Sequence, residues 1–157
     1  MSEEAKQGGT AGAGPGAVEI LLVEDSDEDA ELTLRALKRH RLANLVHRVA
    51  DGEEALEFLF AAGRYAERVM TPLRVVLLDL KLPKLGGIEV LERIRGDART
   101  RAIPVVVLTS SAEDRDLAAC YRLGANSYIV KPVAFDGFVK AVEQLGLYWV
   151  LLNQPPR

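Results

Sequence analysis

Carboxylate, hydroxyl and ammonium side chains follow short apolar runs at four places in the sequence. Glu24 and Asp25 come directly after the first run, Asp79 lies at the end of a later run, and Thr109 and Lys131 follow two others. Several carboxylates brought together supply the hard oxygen ligands that Mg²⁺ prefers, and a lysine beside them has an electrostatic use. These residue types therefore predict a cation site with a nearby ammonium group, provided that the fold brings them together.

Apolar runs and segments with helical spacing alternate along the chain from residue 18 onward. The predicted strands are residues 18–23, 44–49, 74–80, 103–108 and 127–130, and the predicted helices are residues 28–40, 53–62, 87–95, 113–123 and 134–145. Strands that are apolar almost throughout, such as VVLLDL and IPVVVL, are typical of parallel sheets that helices cover on both faces. The predicted fold class is α/β. Because ligands collect at the carboxyl ends of such strands, the polar side chains above are expected at one sheet edge.

Each of these residues also has an ordinary structural interpretation. The acidic run at 24–29 could cap a helix and favour its positive end, although five acids in six positions exceed what a helix end needs. Asp79 could close a strand as a turn residue, and Lys131 could lie in an exposed turn. Thr109 is expected just past its strand, and Ser111 is expected to cap the next helix, with Asp114 three residues on.

The two histidines and the single cysteine are predicted to be structural. His40 and His47 are seven residues apart on a predicted helix end and a predicted strand, without metal-ligand spacing. Cys120 lies in an apolar helical stripe and is expected in the core. One cysteine cannot form an internal disulfide, which favours a reducing, cytoplasmic environment.

Length and composition indicate one globular domain. The 157 residues are 48% hydrophobic and 27% charged, with a net charge of -3, a balance that argues against direct nucleic-acid binding. No apolar run approaches the roughly 20 residues that cross a bilayer, and no secretory signal is expected. The predicted organisation is a flexible glycine-rich tail over residues 1–17, a domain over residues 18–146 and a C-terminal extension over residues 147–157, without an output domain.

The order of these motifs resembles the receiver domain of two-component response regulators over residues 18–145. An acidic pair, a central aspartate in DLKLPKLGG, a threonine with a small neighbour and a Lys-Pro pair after a tyrosine all occur in family order. The resemblance implies a flavodoxin-like, doubly wound (βα)5 fold whose five-stranded parallel sheet has the order 2-1-3-4-5.

The resemblance also implies a phosphoryl-transfer role for several residues. Asp79 is expected to be the phosphoacceptor, attacking the phosphohistidine of a sensor kinase. Lys131 and Thr109 are expected to stabilise the transferred group, and Ser110 occupies the small-residue position that admits the phosphate. The chain is then not an enzyme in its own right, but a phosphoacceptor that assists its own Mg²⁺-dependent phosphorylation and dephosphorylation.

Metal binding and switching follow from the same resemblance. The expected Mg²⁺ ligands are Glu24, Asp25, Asp79 and the backbone carbonyl of Lys81. Tyr128 is expected to act with Thr109 as a switch that couples the site to the face formed by helix four, strand five and helix five. Pro132 occupies the cis-proline position that aims the lysine before it.

Two long segments resemble a subfamily of single-domain regulators that includes those paired with bacterial phytochromes. The segment 63–71 is longer than the usual receiver connection, and the ending LGLYWVLLNQPPR exceeds what helix five needs. The expected partners are therefore a sensor histidine kinase and a second copy of the chain. For that subfamily, the kinase is a bacterial phytochrome. The homodimer is expected to form through the face from helix four to helix five and the C-terminal extension, with no nucleic acid or membrane as a partner.

Three other functions are alternatives to this one. A haloacid dehalogenase-type phosphatase needs an aspartate two residues after the nucleophile, where this chain has Lys81. A flavodoxin-like cofactor site needs free amides and hydroxyls after strand one, whereas the acids at 24–29 would repel phosphate. A receiver-like adaptor that works without phosphorylation remains open, and a phosphorylation assay separates it.

Overall fold

The computed structural model describes residues 18–38, 45–69 and 73–146, and this part of the chain forms one parallel sheet of five strands. The strands are β1 (Ile20–Val23), β2 (Val46–Val49), β3 (Val75–Asp79), β4 (Val105–Thr109) and β5 (Ser127–Val130), in the order β2-β1-β3-β4-β5. The α/β class and the 2-1-3-4-5 order expected from the sequence are confirmed.

Helices cover both faces of this sheet, which explains why its strands are apolar almost throughout. The helices of the described residues are α1 (Asp27–Lys38), α2 (Gly52–Leu59), α3 (Gly87–Arg95), α4 (Asp116–Arg122) and α5 (Phe135–Gln144), with a short 3-10 helix at Gly63–Tyr65. Alternate residues of β1 enter different cores: Leu21 belongs to the core that includes residues of α2, α3 and α4, whereas Leu22 belongs to the core that includes residues of α1 and α5. A charged substitution in either core would place an unpaired charge among apolar side chains.

The strand register brings the ends of the three central strands to one edge. Val23 pairs with Leu78, so Glu24 and Asp79 are adjacent across β1 and β3. Asp79 in turn pairs with Leu108, the residue before Thr109. The parallel register therefore gathers residues that are far apart in sequence at the carboxyl edge of the sheet.

Local side-chain hydrogen bonds account for where two helices begin. The Ser26 hydroxyl accepts a hydrogen bond from the Asp29 N–H at 3.1 Å, which caps the first turn of α1. Ser111 does not cap α4 as expected, because its hydroxyl accepts from the Glu113 N–H and Asp114 accepts from the Asp116 N–H, each two residues on. These two turns delay α4 to Asp116, three residues after the predicted start.

Other sequence predictions differ from the structure in detail. Thr109 is the last residue of β4, not the first residue past it. Helix α2 ends at Leu59, before the predicted end at residue 62, and Ala61 adopts a left-handed conformation with φ of 51°. The 3-10 helix that follows was not predicted from the sequence. Cys120 is buried in the core, as expected.

Several predictions concern residues outside the described part of the chain. These are the flexible tail at 1–17, His40 at the end of the first predicted helix, and the extension at 147–157. Within the described residues, no helix has the length and apolar character needed to cross a membrane.

Candidate functional site

Asp79 is held at the carboxyl end of β3 by a close approach of α3. A Cβ atom at Gly87 would lie 2.5 Å from the Asp79 carbonyl oxygen, so the first residue of α3 can be only glycine without a backbone shift. The Asp79 side chain is 5% exposed, and its Oδ1 accepts a hydrogen bond from the Lys81 N–H at 3.2 Å. The second glycine of the DLKLPKLGG motif therefore helps to place the carboxylate.

Three carboxylates converge beside the end of β3. Glu24, Asp25 and Asp79 each offer an oxygen, and these oxygens all lie within 4.8 Å of one another. The Glu24 side chain is fully buried, and its Oε2 accepts a hydrogen bond from the Ser26 N–H at 3.2 Å, whereas Asp25 is exposed. Buried and exposed hard oxygen donors in one cluster fit a partly hydrated divalent cation such as Mg²⁺.

The Lys131 ammonium reaches into this cluster from the end of β5. Its Nζ lies 3.0 Å from Glu24 Oε1, 3.0 Å from Asp29 Oδ2 and 3.3 Å from Asp79 Oδ2. The peptide bond between Lys131 and Pro132 is cis. The structure thus brings together Glu24, Asp25, Asp79 and Lys131, which the sequence had assigned to one site.

Burial and neighbouring charges shift the pKa values of Asp79 and Lys131. Burial, together with the neighbouring Glu24 carboxylate, raises the pKa of Asp79 from its ordinary 3.8 to about 7, against the lowering effect of Lys131. Burial acts to lower the pKa of the Lys131 ammonium, but hydrogen bonds to Asp29 and Glu24 outweigh it and raise that pKa above its ordinary value. Lys131 therefore stays charged, and a further cation would favour ionised Asp79.

The predicted hydroxyl residues Thr109 and Ser110 lie at the end of β4, and the predicted aromatic residue Tyr128 lies on β5. The buried Thr109 hydroxyl donates to the Ser111 carbonyl at 3.0 Å, and the exposed Ser110 follows it. Tyr128 on β5 is 36% exposed and meets Tyr121 of α4 edge to face, with ring centroids 6.3 Å apart. Thr109 thus ends the strand beside Asp79, while Tyr128 faces the surface between α4 and β5.

Two residues of this neighbourhood were missed by the sequence analysis. Asp29 contacts Lys131 directly. In the sequence it is the last acid of the run at 24–29, and acids are common in the first turn of a helix, so its type gives no signal of this contact. Arg48 of β2 binds the loop that carries the acidic pair, and an isolated arginine in a strand gives no signal of that contact.

A model of the response regulator receiver domain matches residues 20–143 of the chain. The probable methanogenesis regulatory protein FilR2 of Methanothrix harundinacea is 44% identical over 140 residues, covering 87% of this chain and 86% of FilR2. Response regulator Rcp1 of Synechocystis is 38% identical over 131 residues, covering 83% of this chain and 88% of Rcp1.

Solved structures show the same fold. The bacteriophytochrome response regulator AtBRR matches with a TM-score of 0.80 and 51% identity, covering 89% of this chain and 100% of that chain. The Mn(2+)-bound form of Rcp1 matches with a TM-score of 0.67 and 34% identity, covering 87% of this chain and 96% of that chain. The chain is thus similar to phytochrome-associated response regulators over most of its length.

Proposed function

Because the chain belongs to the response regulator receiver family of two-component signalling, we propose that Asp79 accepts a phosphoryl group from a sensor histidine kinase. The observation that carries this proposal is the placement of Asp79 beside the Lys131 ammonium and within the carboxylate cluster of Glu24 and Asp25. Transfer of an anionic phosphoryl group to a carboxylate needs positive charge beside the acceptor. The sequence motifs alone do not show that Lys131 lies there.

The transfer balances on the groups present. An Asp79 carboxylate oxygen forms the new O–P bond while the P–N bond of the donor phosphohistidine breaks, and its electron pair returns to the imidazole nitrogen, which takes a proton from solvent. The Lys131 ammonium, 3.3 Å from Asp79 Oδ2, is placed to bind an oxygen of the incoming phosphoryl group. The Thr109 hydroxyl would bind a second oxygen, and the small side chain of Ser110 would leave room for the group.

The carboxylate cluster fits Mg²⁺ by the chemistry of its donors. Glu24, Asp25 and Asp79 would hold the ion, with the backbone carbonyl of Lys81 as a further ligand. When bound, the ion supplies positive charge that stabilises the transferring phosphoryl group. The similarity to Rcp1, which has a Mn(2+)-bound form, supports a divalent cation.

The proposed output is a change in surface that partner proteins detect. Movement of the Thr109 hydroxyl toward the phosphoryl group would break its bond to the Ser111 carbonyl and open space for Tyr128. Similarity to AtBRR, a bacteriophytochrome response regulator, supports a phytochrome-type kinase as the donor. A cytoplasmic location for both proteins is part of the proposal.

We also propose that the chain forms a homodimer through the surface from α4 to α5 together with the extension at 147–157. Support comes from three exposed apolar or aromatic side chains on that surface: Tyr121 at 45%, Tyr128 at 36% and Val130 at 40%. Sedimentation of the full chain and of a chain truncated after Gly146 tests it. A full chain that stays monomeric at high micromolar concentration, with and without phosphorylation, would contradict the dimer.

Labelling with acetyl phosphate and Mg²⁺ tests the phosphoacceptor. The wild type should become phosphorylated and Asp79→Asn should not, because the amide keeps the shape but lacks the nucleophile. Asp114→Asn is the matched control, since Asp114 is another largely buried carboxylate, 12% exposed, in the connection after β4. Equal labelling of wild type and Asp79→Asn would contradict the proposal, and a wild type that neither acetyl phosphate nor any kinase labels would favour the adaptor.

A further inference from the structure

Lys131 has three carboxylate partners, and one of them lies outside the residues assigned to the phosphoacceptor site. An ammonium group has three hydrogens to donate, and Glu24, Asp29 and Asp79 each lie within 3.3 Å of it. To bind an oxygen of a phosphoryl group, Lys131 must therefore release or share one of these contacts. Which contact persists decides where the lysine is held during transfer.

Asp29 differs from the other two partners in its relation to the cation cluster. Glu24 and Asp79 belong to the group of carboxylates whose oxygens lie within 4.8 Å of one another, and Asp29 does not. A divalent cation held by that cluster would compete with Lys131 for Glu24 and Asp79, but not for Asp29. Asp29 is thus the partner that Lys131 can keep throughout cation binding and phosphoryl transfer.

Asp29 is also fixed more firmly than a surface aspartate usually is. It lies in the first turn of α1, where its N–H donates to Ser26, and the following turns are anchored by the buried Ala30 and Leu37. Its side chain is 37% exposed, so replacing it leaves no buried cavity. The lysine, by contrast, has a flexible four-carbon stem that gains order from a fixed partner.

We propose that Asp29 is a positioning residue that holds the Lys131 ammonium at the phosphoacceptor site and so speeds phosphoryl transfer to Asp79. This inference rests on the proposed function. Asp29 bonds the Lys131 ammonium and is not one of the carboxylates of the cation cluster, so we expect its effect on transfer to run through Lys131.

The test compares labelling rates with acetyl phosphate and saturating Mg²⁺. Asp29→Ala should slow labelling roughly tenfold, the effect expected from losing one charge-assisted hydrogen bond. Glu28→Ala is the matched control, because it removes the same charge from the same helical turn at an exposed position, and it should change the rate less than about twofold. Asp29→Glu, which keeps the carboxylate, should recover part of the rate.

A double-mutant cycle shows whether the effect runs through the lysine. In a Lys131→Ala chain, Asp29→Ala should cause no further loss, and urea denaturation in EDTA should show that the two substitutions are likewise non-additive for stability. A rate loss that is as large without Lys131, or a faster rate in Asp29→Ala, would overturn the inference. If Lys131→Ala labels too slowly to measure, failure of Asp29→Glu to recover any rate overturns it instead.

The same data separate this inference from the proposed function. A wild type that labels on Asp79 while Asp29→Ala labels equally fast overturns the positioning role alone, whatever happens to stability. A wild type that does not label at all overturns the proposed function, and the positioning role with it.

Discussion

The guanidinium group of Arg48 binds the backbone carbonyl oxygen of Glu24 through two nitrogens, Nε at 2.9 Å and Nη2 at 2.7 Å. Its third nitrogen donates to Asp27 Oδ1 at 2.9 Å. The Glu24 N–H donates in turn to the Val49 carbonyl at 3.1 Å. Strand β2 therefore fixes the Glu24 peptide groups on both sides and, with them, the loop that carries Asp25.

Replacing Arg48 should loosen this loop and weaken cation binding. Arg48→Ala removes two charge-assisted hydrogen bonds to a carbonyl and is expected to lower the free energy of unfolding by about 1.5–3 kcal/mol. It should also raise the Mg²⁺ concentration needed for half of the thermal stabilisation, measured by melting at a series of Mg²⁺ concentrations. Arg35→Ala, which breaks only an exposed pair with Glu31, should change neither quantity appreciably. Lower stability with unchanged Mg²⁺ dependence would mean that Arg48 does not position the acidic pair.

Mg²⁺ should stabilise the folded chain by relieving repulsion among Glu24, Asp25 and Asp79. At 100 times its dissociation constant, an ion that binds only the folded state adds about 2.7 kcal/mol to the free energy of unfolding. Melting temperatures in Mg²⁺ and in EDTA measure this gain. Asp25→Ala should abolish most of it, and a stabilisation that survives this substitution would place the ion elsewhere.

Without a cation, the Asp79 carboxyl should contribute less to the free energy of unfolding as pH rises from about 4 to about 7. The folded-state pKa of Asp79 is raised to about 7 from 3.8, chiefly by burial, so the folded state binds the proton that the unfolded state has released in that window. The slope is at most about 1.4 kcal/mol per pH unit for one proton. Urea denaturation in EDTA across this range should show that wild type loses stability relative to Asp79→Asn as pH rises. Identical profiles would show that Asp79 titrates at its ordinary pKa.

The sheet edge was predictable because two strong regularities act together. Apolar runs mark the strands, and parallel pairing sends their carboxyl ends to one side, so Glu24, Asp79 and Lys131 had to converge once the strand order was known. The order itself came from a resemblance to receiver domains, since alternation of strands and helices does not fix which strands are neighbours.

The remaining contacts depend on side-chain reach, which sequence patterns do not encode. Arg48 crosses from β2 to the loop after β1, and Asp29 meets a lysine 102 residues later in the chain. The delayed start of α4 has a similar cause, because Ser111 and Asp114 form competing local hydrogen bonds that a capping motif does not distinguish. Each outcome is decided by which of several possible hydrogen bonds the tertiary structure permits.

His47 shows the same limit, since the sequence indicated only that it was structural. Its Nε2 lies 3.0 Å from the Tyr65 hydroxyl, which donates its single hydrogen to Glu54 Oε2 at 2.6 Å. Because that hydrogen is used, His47 must donate from Nε2. Its ring also stacks on Phe58, with centroids 4.5 Å apart. The cluster joins β2, α2 and the 3-10 helix that the sequence did not predict.

The last prediction is that His47 makes the chain less stable as pH falls below about 6.5. Burial lowers the pKa of His47 from its ordinary 6.5, more than the Glu54 charge raises it, and Arg68 lowers it further. The unfolded state therefore takes up a proton that the folded state does not, and stability falls with pH by at most about 1.4 kcal/mol per unit. Since Asp79 has the opposite effect, the measurement uses urea denaturation of Asp79→Asn in EDTA between pH 5 and pH 7.5. Adding His47→Gln, which keeps a donor for Tyr65, should flatten that profile, whereas His40→Gln serves as the control for loss of a histidine. An NMR titration that places the His47 pKa at or above 6.5 would contradict the prediction.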